Sequence, residues 1–264
     1  MLSIKNLNKK FDPGTPIENH VLRNLSLELA DGDYVTVIGG NGAGKSTLLN
    51  MVAGTYFPDT GTIAVDGVDI TSLPEYKRAR FLGRVFQDPK MGTAANMNIE
   101  ENLAVAYRRG KRRRLRWYIN EKERELFRQQ LSILELGLEN RLMDRIGLLS
   151  GGQRQALSLL MATLEKPKVL LLDEHTAALD PKTAPKVLEI GNRLIEKYNL
   201  TTMMVTHNMK DAIANGNRLI MMNAGQIVLD ISGEDKKKLT VKELIAEFSR
   251  VMGEEFSHDQ SLLS

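Results

Sequence analysis

The feature that most restricts how this 264-residue chain can fold is a glycine-rich stretch, Gly39-Gly40-Asn41-Gly42-Ala43-Gly44-Lys45-Ser46, followed by Thr47. It satisfies G-x-x-x-x-G-K-S/T and sits between an apolar strand expected at Asp33–Ile38 and a helix expected at Lys45–Ala53. Its glycines let the backbone curl so that successive N–H groups face inward as an anion nest, and the helix adds its positive end. In that geometry Gly39, Asn41, Gly42, Ala43 and Gly44 line a phosphate cradle. Lys45 reaches the β- and γ-phosphates, Ser46 ligates Mg²⁺ and Thr47 binds the α-phosphate. A chance glycine-rich turn would have no reason to fall between strand and helix in this order.

A second site lies at Asp173-Glu174, which ends the apolar run Val169–Leu172. A buried parallel strand delivers its last residues to the sheet edge where a phosphate loop also lies. Asp173 is then placed to hold the Mg²⁺ shell, and Glu174 to orient and deprotonate an attacking water. Alone, such a pair equally suits an exposed strand end with an acidic turn; the phosphate loop shifts the balance toward chemistry.

Strands are expected at Ser3–Leu7, Val21–Leu29, Gly61–Val65, Arg84–Phe86 and Thr202–Thr206, with a hairpin through Ala224-Gly225. Helices are expected at Glu121–Leu136, Gly152–Leu164, Pro181–Tyr198, Met209–Ala214 and Thr240–Met252. Val241, Leu244, Ile245, Phe248, Val251 and Met252 give the last helix one apolar face. The alternation predicts an α/β fold: a phosphate-loop core with a mixed sheet and an antiparallel β layer. A helical subdomain is inserted at about 88–164, between core segments at about 1–87 and 165–232. The C-terminal helix and polar tail follow at 233–264. With no cysteine there is no disulfide framework or thiolate metal site, and no apolar stretch is long enough to span a membrane. The N-terminus lacks the apolar core of a secretory signal, so a cytoplasmic location is expected.

Leu149-Ser150-Gly151-Gly152-Gln153 opens another helix with a hydroxyl and glycine amides, again the form of an anion site. One nucleotide does not need two cradles from one chain. With this motif the sequence resembles the nucleotide-binding subunits of ABC transporters over about residues 1–232. Gly39–Thr47 matches their Walker A motif, Leu149–Gln153 the signature motif and Val169–Glu174 the Walker B motif. Gln87 resembles the Q-loop glutamine, Ala178-Leu179-Asp180 the D-loop and His207 the switch histidine. The resemblance implies an ATPase whose two copies face each other head to tail. Each ATP would lie between one phosphate loop and the partner's Ser150, Gly151, Gly152, Gln153 and Asp180. Glu174 would be the general base and Lys45 would bind phosphate. His207 would hold the γ-phosphate and the water, and Gln87 would join Ser46 and Asp173 around the metal. Phe11 fits the aromatic that stacks on adenine, though a phenylalanine there also suits a core position. The sequence departs from the family at His175, where proline is common, and at Ala177, where serine is common; no chemistry is assigned to either, and His175 is read as perturbing the interface or capping a turn.

The resemblance further implies that the chain sits at the cytoplasmic face of the cell membrane, held there by a separate integral membrane permease, with an external solute-binding protein as a further partner. The phrase Asp173–Asp180 and the basic insert resemble a bacterial subgroup associated with amino-acid-type uptake. The alternatives are an exporter, a lipoprotein-release system or a soluble ABC ATPase such as an iron–sulfur assembly factor. Net charge is +3, but seven basic residues fall in Arg108–Arg116 just before Trp117-Tyr118, and the remainder is net acidic. General nucleic-acid affinity is therefore not indicated. The run reads either as a solvated loop or as a patch facing anionic lipid headgroups beside the permease; nucleic acid is the weakest of the three readings.

Overall fold

Period-two alternation in the first thirty residues builds a β-ribbon, and the apolar runs further on build parallel strands. The computed structural model describes residues 1–111 and 119–252, and for Val251 and Met252 the backbone alone. From the N-terminus the elements are β1 (Leu2–Phe11), β2 (Asn19–Leu29), β3 (Tyr34–Gly39), α1 (Lys45–Ala53), β4 (Thr60–Val65), β5 (Val68–Asp69) and α2 (Glu75–Arg78). Next come β6 (Leu82–Val85), α3 (Ile99–Tyr107), α4 (Glu121–Ser132), α5 (Gly151–Thr163), β7 (Val169–Asp173) and α6 (Ala184–Tyr198). The chain continues through β8 (Thr201–Val205), α7 (Met209–Ala214), β9 (Arg218–Asn223), β10 (Gln226–Ser232), α8 (Gly233–Lys238) and α9 (Val241–Met252). Two compact units result: Met1–Arg78 with the chain from Leu200 onward, and Ala79–Asn199.

In the first unit, β2, β1, β4 and β5 form an antiparallel sheet in that order. Every residue of β3 is buried. It runs parallel to β8 on one side and β9 on the other, and β9 turns back antiparallel into β10, which makes this sheet mixed. Ala224 and Gly225 both have positive φ, 45° and 80°, as a tight hairpin turn requires. A β-carbon at Gly225 would lie 2.3 Å from the Val21 carbonyl oxygen, so only glycine fits. The apolar face of α9 packs as expected, with Leu244 and Phe248 against Ile38, Met209, Leu219 and Met221. Helix α8 was not foreseen, because Gly-Glu-Asp-Lys-Lys-Lys carries no apolar period. It is tied down by Lys236, whose buried ammonium donates to the carbonyls of Asn215 and Gly216.

In the second unit, β6 and β7 pair in parallel, with Val85 opposite Leu172. Helices α3, α4 and α5 each open on a capping box: Asn98 with Glu101, Asn120 with Glu123, and Ser150 with Gln153. Each box satisfies two otherwise orphaned backbone donors. Helix α4 ends at Ser132, short of Leu136, because the chain turns with Glu135 at φ 54°. Leu134 and Leu138 remain buried through that turn, which is why the apolar spacing suggested a longer helix. Helix α6 starts at Ala184 and not Pro181, since the Asp180 carboxylate accepts from the N–H groups of Lys182 and Thr183 and holds a turn there.

The described part of the basic run is anchored to this unit. Arg109 donates to the Ala162 carbonyl at 2.8 Å, Arg108 pairs with Glu123 at 3.4 Å and Lys111 with Glu165 at 2.8 Å. These three therefore do not form a freely solvated loop. Arg112–Tyr118 lie outside the described residues, as does the polar tail from 253 onward.

Candidate functional site

The phosphate loop belongs to the first unit. Gly39 backs so closely onto β9 that a β-carbon would lie 2.3 Å from the Met222 carbonyl oxygen. Gly44 has φ 97°, and a β-carbon there would meet the Leu22 side chain at 2.8 Å and the Val21 carbonyl oxygen at 2.9 Å. Gly42 has φ 77° and open space beside it. The loop is thus pinned at both ends by glycines that no larger residue could replace.

Helix α1 begins with no side-chain cap and no acidic residue in its first turn. The three capping-box helices are closed by their own side chains; α1 leaves its positive end to an external anion. Lys45 is buried, and its ammonium donates to the carbonyls of Gly39 (2.8 Å) and Gly40 (3.1 Å), which keeps it against the loop. Ser46 and Asn41 are exposed and Thr47 is half-buried. Phe11 ends β1 half-buried, with Tyr56 edge-on to its ring at 5.3 Å, so it is not a core residue. In the β3–β8 pair Val37 lies opposite Val205, and both strands point the same way. Gly39 and His207 consequently leave the same end of the pair. Asn208 caps α7 immediately after His207. Burial raises the Asp211 carboxyl, and His207 opposes that rise.

The second unit holds Gln87, Asp173, Glu174, Ser150–Gln153 and Asp180. With Val85 opposite Leu172, Gln87 and Glu174 each lie two residues beyond that pair, at the same end of β6 and β7. Gln87 is exposed. Glu174 has φ 43°, a left-handed backbone uncommon for a residue with a side chain. Asp173 accepts from Arg84 at 3.2 Å; burial pushes its carboxyl up, and the guanidinium pulls the other way. Ser150 is exposed, and its hydroxyl oxygen accepts from the Gln153 N–H at 3.2 Å, leaving its proton to be donated outward. Gln153 spends its side-chain oxygen on the Ser150 N–H. A β-carbon at Gly151 would meet Leu179 at 3.6 Å, and Gly152 is buried against Thr183, so the signature and D-loop segments pack on each other. The exposed Asp180 carboxyl is held below the usual carboxylate range by its hydrogen bonds from Thr183 and Lys182.

Arg84 and Arg154 are not among the site residues expected from the sequence. Arg84 is the one charge in the strand Leu82–Val85, a visible signal whose partner depended on strand register. Arg154 is buried and donates to the Thr93 hydroxyl at 2.6 Å, fixing the start of α5 to the chain after Gln87. His175, expected to perturb an interface or cap a turn, is instead buried, and burial pushes its imidazole down to about 4.

Comparison with known proteins returns a single theme. A family model described as "ABC transporter" matches residues 22–177. The tyrosine transport ATP-binding protein of Clostridioides difficile (strain R20291) is 46% identical over 248 residues, 94% of this chain and 98% of that protein. The spermidine/putrescine import ATP-binding protein PotA of Clostridium acetobutylicum is 35% identical over 90% of this chain and 64% of its own length. Among solved structures, a dimeric ATP-binding cassette in a post-hydrolysis state with ADP and Pi superimposes with a TM-score of 0.73 at 26% identity. That match covers 88% of this chain and 98% of the cassette.

Proposed function

The chain belongs to the ABC transporter family, and from that premise we propose that it drives amino-acid uptake through a separate membrane permease. It is an ATP-binding subunit whose hydrolysis of ATP is coupled to transport. The observation that carries the reading is that one chain holds both halves of a nucleotide site. An uncapped helix end stands behind the glycine loop, and an exposed Ser150 hydroxyl has its proton to give.

Two copies then close head to tail. The loop residues Gly39–Gly44 with Lys45, Ser46 and Thr47 hold the phosphates of one ATP, and Phe11 stacks on its adenine. The partner copy brings Ser150, Gly151, Gly152, Gln153 and Asp180 to the other side. Glu174 takes the proton of the attacking water, while His207 orients that water and the γ-phosphate. Mg²⁺ fits the donors present: the Ser46 hydroxyl, the Gln87 amide oxygen and the Asp173 carboxylate are hard oxygen ligands. Among the described residues no cluster of three His, Cys, Asp or Glu could hold a metal by itself. When bound, the ion offsets phosphate charge.

No helix among the described residues is long and apolar enough to cross a membrane. The permease partner follows from the likeness to transporter ATP-binding subunits, and the subunit works at its cytoplasmic face. The substrate class follows the tyrosine transport relative, which matches nearly end to end. The test is uptake into proteoliposomes carrying this chain with the permease that co-purifies with it. Tyrosine or a related amino acid should accumulate only with ATP, and not with Glu174→Gln. Uptake of spermidine with no amino-acid uptake overturns the substrate class, and ATP-independent uptake overturns the coupling.

A further inference from the structure

Gln155 lies within α5 among Ala156, Leu157, Leu159 and Leu160, all buried, and is itself 0% exposed. An apolar side chain would fill that position without burying an amide, so packing alone does not select glutamine. Its amide nitrogen donates twice, to the Phe86 carbonyl at 3.0 Å and to the His175 carbonyl at 2.7 Å. Two carbonyl acceptors take both hydrogens of the NH₂ group and fix which way the amide points. The amide oxygen is buried without a hydrogen-bond partner. What the side chain supplies at this position is therefore its two N–H donors.

Those two carbonyls are significantly placed. Phe86 immediately precedes Gln87, and His175 immediately follows Glu174. The β6–β7 register ends at Val85 and Leu172, and the Gln155 amide spans the two chains just beyond it. Glu174 sits there with φ 43°, a backbone conformation that persists only where its surroundings hold it. Five residues earlier on the same helix, Ser150 presents its hydroxyl.

We propose that Gln155 is a positioning residue: it fixes the backbone that aims Glu174 and Gln87, and ties both to Ser150 through α5. This rests on the composite-site reading, in which Ser150 serves one ATP and Glu174 the other. Gln155 then makes α5 a strut between the two sites of the dimer, so that closure at one is felt by the base of the other.

Gln155→Met keeps an unbranched side chain and removes both donors. With cooperative thermal unfolding retained, ATP affinity should stay within about twofold, while kcat falls about tenfold or more. The Hill coefficient for ATP should drop toward one. In the Glu174→Gln background the single-turnover rate should fall by clearly less than with Glu174 present, because one of the two positioned groups is already gone. Gln155→Asn, whose shorter amide reaches one carbonyl, should fall between, and it carries the same test if the methionine variant does not fold. Unchanged kcat and Hill coefficient overturn the proposal. So does an ATP-affinity loss that accounts for the whole rate loss, or a loss that multiplies in full onto Glu174→Gln. Normal hydrolysis by Glu174→Gln alone would instead remove the composite-site reading and this proposal with it.

Discussion

Gly152 faces Thr183 so closely that a β-carbon at position 152 would lie 2.0 Å from the threonine methyl carbon. The signature segment is thereby seated on the turn that begins with Asp180. Gly152→Ala should destabilise the protein by about 1–3 kcal/mol, the usual range for overpacking, and reduce ATPase activity. Thr183→Ser deletes the clashing methyl and leaves the next contact, Thr183 Cβ, at 3.4 Å. The double variant should recover most of the stability lost, measured by urea unfolding. Failure of Thr183→Ser to relieve the defect would mean that the glycine is needed for some other reason.

Phe11 offers a half-buried ring braced by Tyr56. If it stacks on adenine, Phe11→Ala should weaken ATP binding by about 1–3 kcal/mol, the range for losing an aromatic beneath a base. Phe11→Trp should keep it, since stacking tolerates any aromatic face. Titration with a fluorescent ATP analogue decides; equal affinity for the alanine variant would return Phe11 to a structural role.

Lys236 provides the pH-dependent prediction. Burial lowers its ammonium from the ordinary 10.5 to about 8. The unfolded chain then binds the proton more tightly than the folded one between about 8 and 10.5, so stability rises with pH across that window and the gain is lost as pH falls through 8. The slope should be at most about 1 kcal/mol per pH unit. It should be missing from Lys236→Met, in urea unfolding curves compared at pH 7.5 to 10.5, a span chosen to bracket the shift. Parallel pH profiles for the two proteins would refute it.

How much of this was legible beforehand depended on the range of the interaction. The phosphate loop, β3 and β7 announced themselves because glycines at fixed offsets and unbroken apolar runs are local signals. The amphipathic face of α9 was equally plain, with Leu244 and Phe248 buried as their spacing required. Arg84 could be seen, but its pairing with Asp173 needed the β6–β7 register. The need for glycine at 152 comes from a methyl thirty-one residues away. Gln155 looked like one more polar residue near a helix start, since neither carbonyl it bridges is near in sequence. Helix α8 had only charge, and its anchor is a buried lysine reaching back to Asn215 and Gly216.

In the dimer each ATP is shared between the phosphate loop of one copy and Ser150 of another, as proposed above. Sedimentation of Glu174→Gln with and without ATP tests this most directly. ATP should convert monomer to a dimer holding two nucleotides, and adding Ser150→Arg to the same chain should abolish the dimer while each monomer still binds ATP. A monomer that stays monomeric when saturated with ATP, or a dimer indifferent to Ser150→Arg, would rule out the shared site.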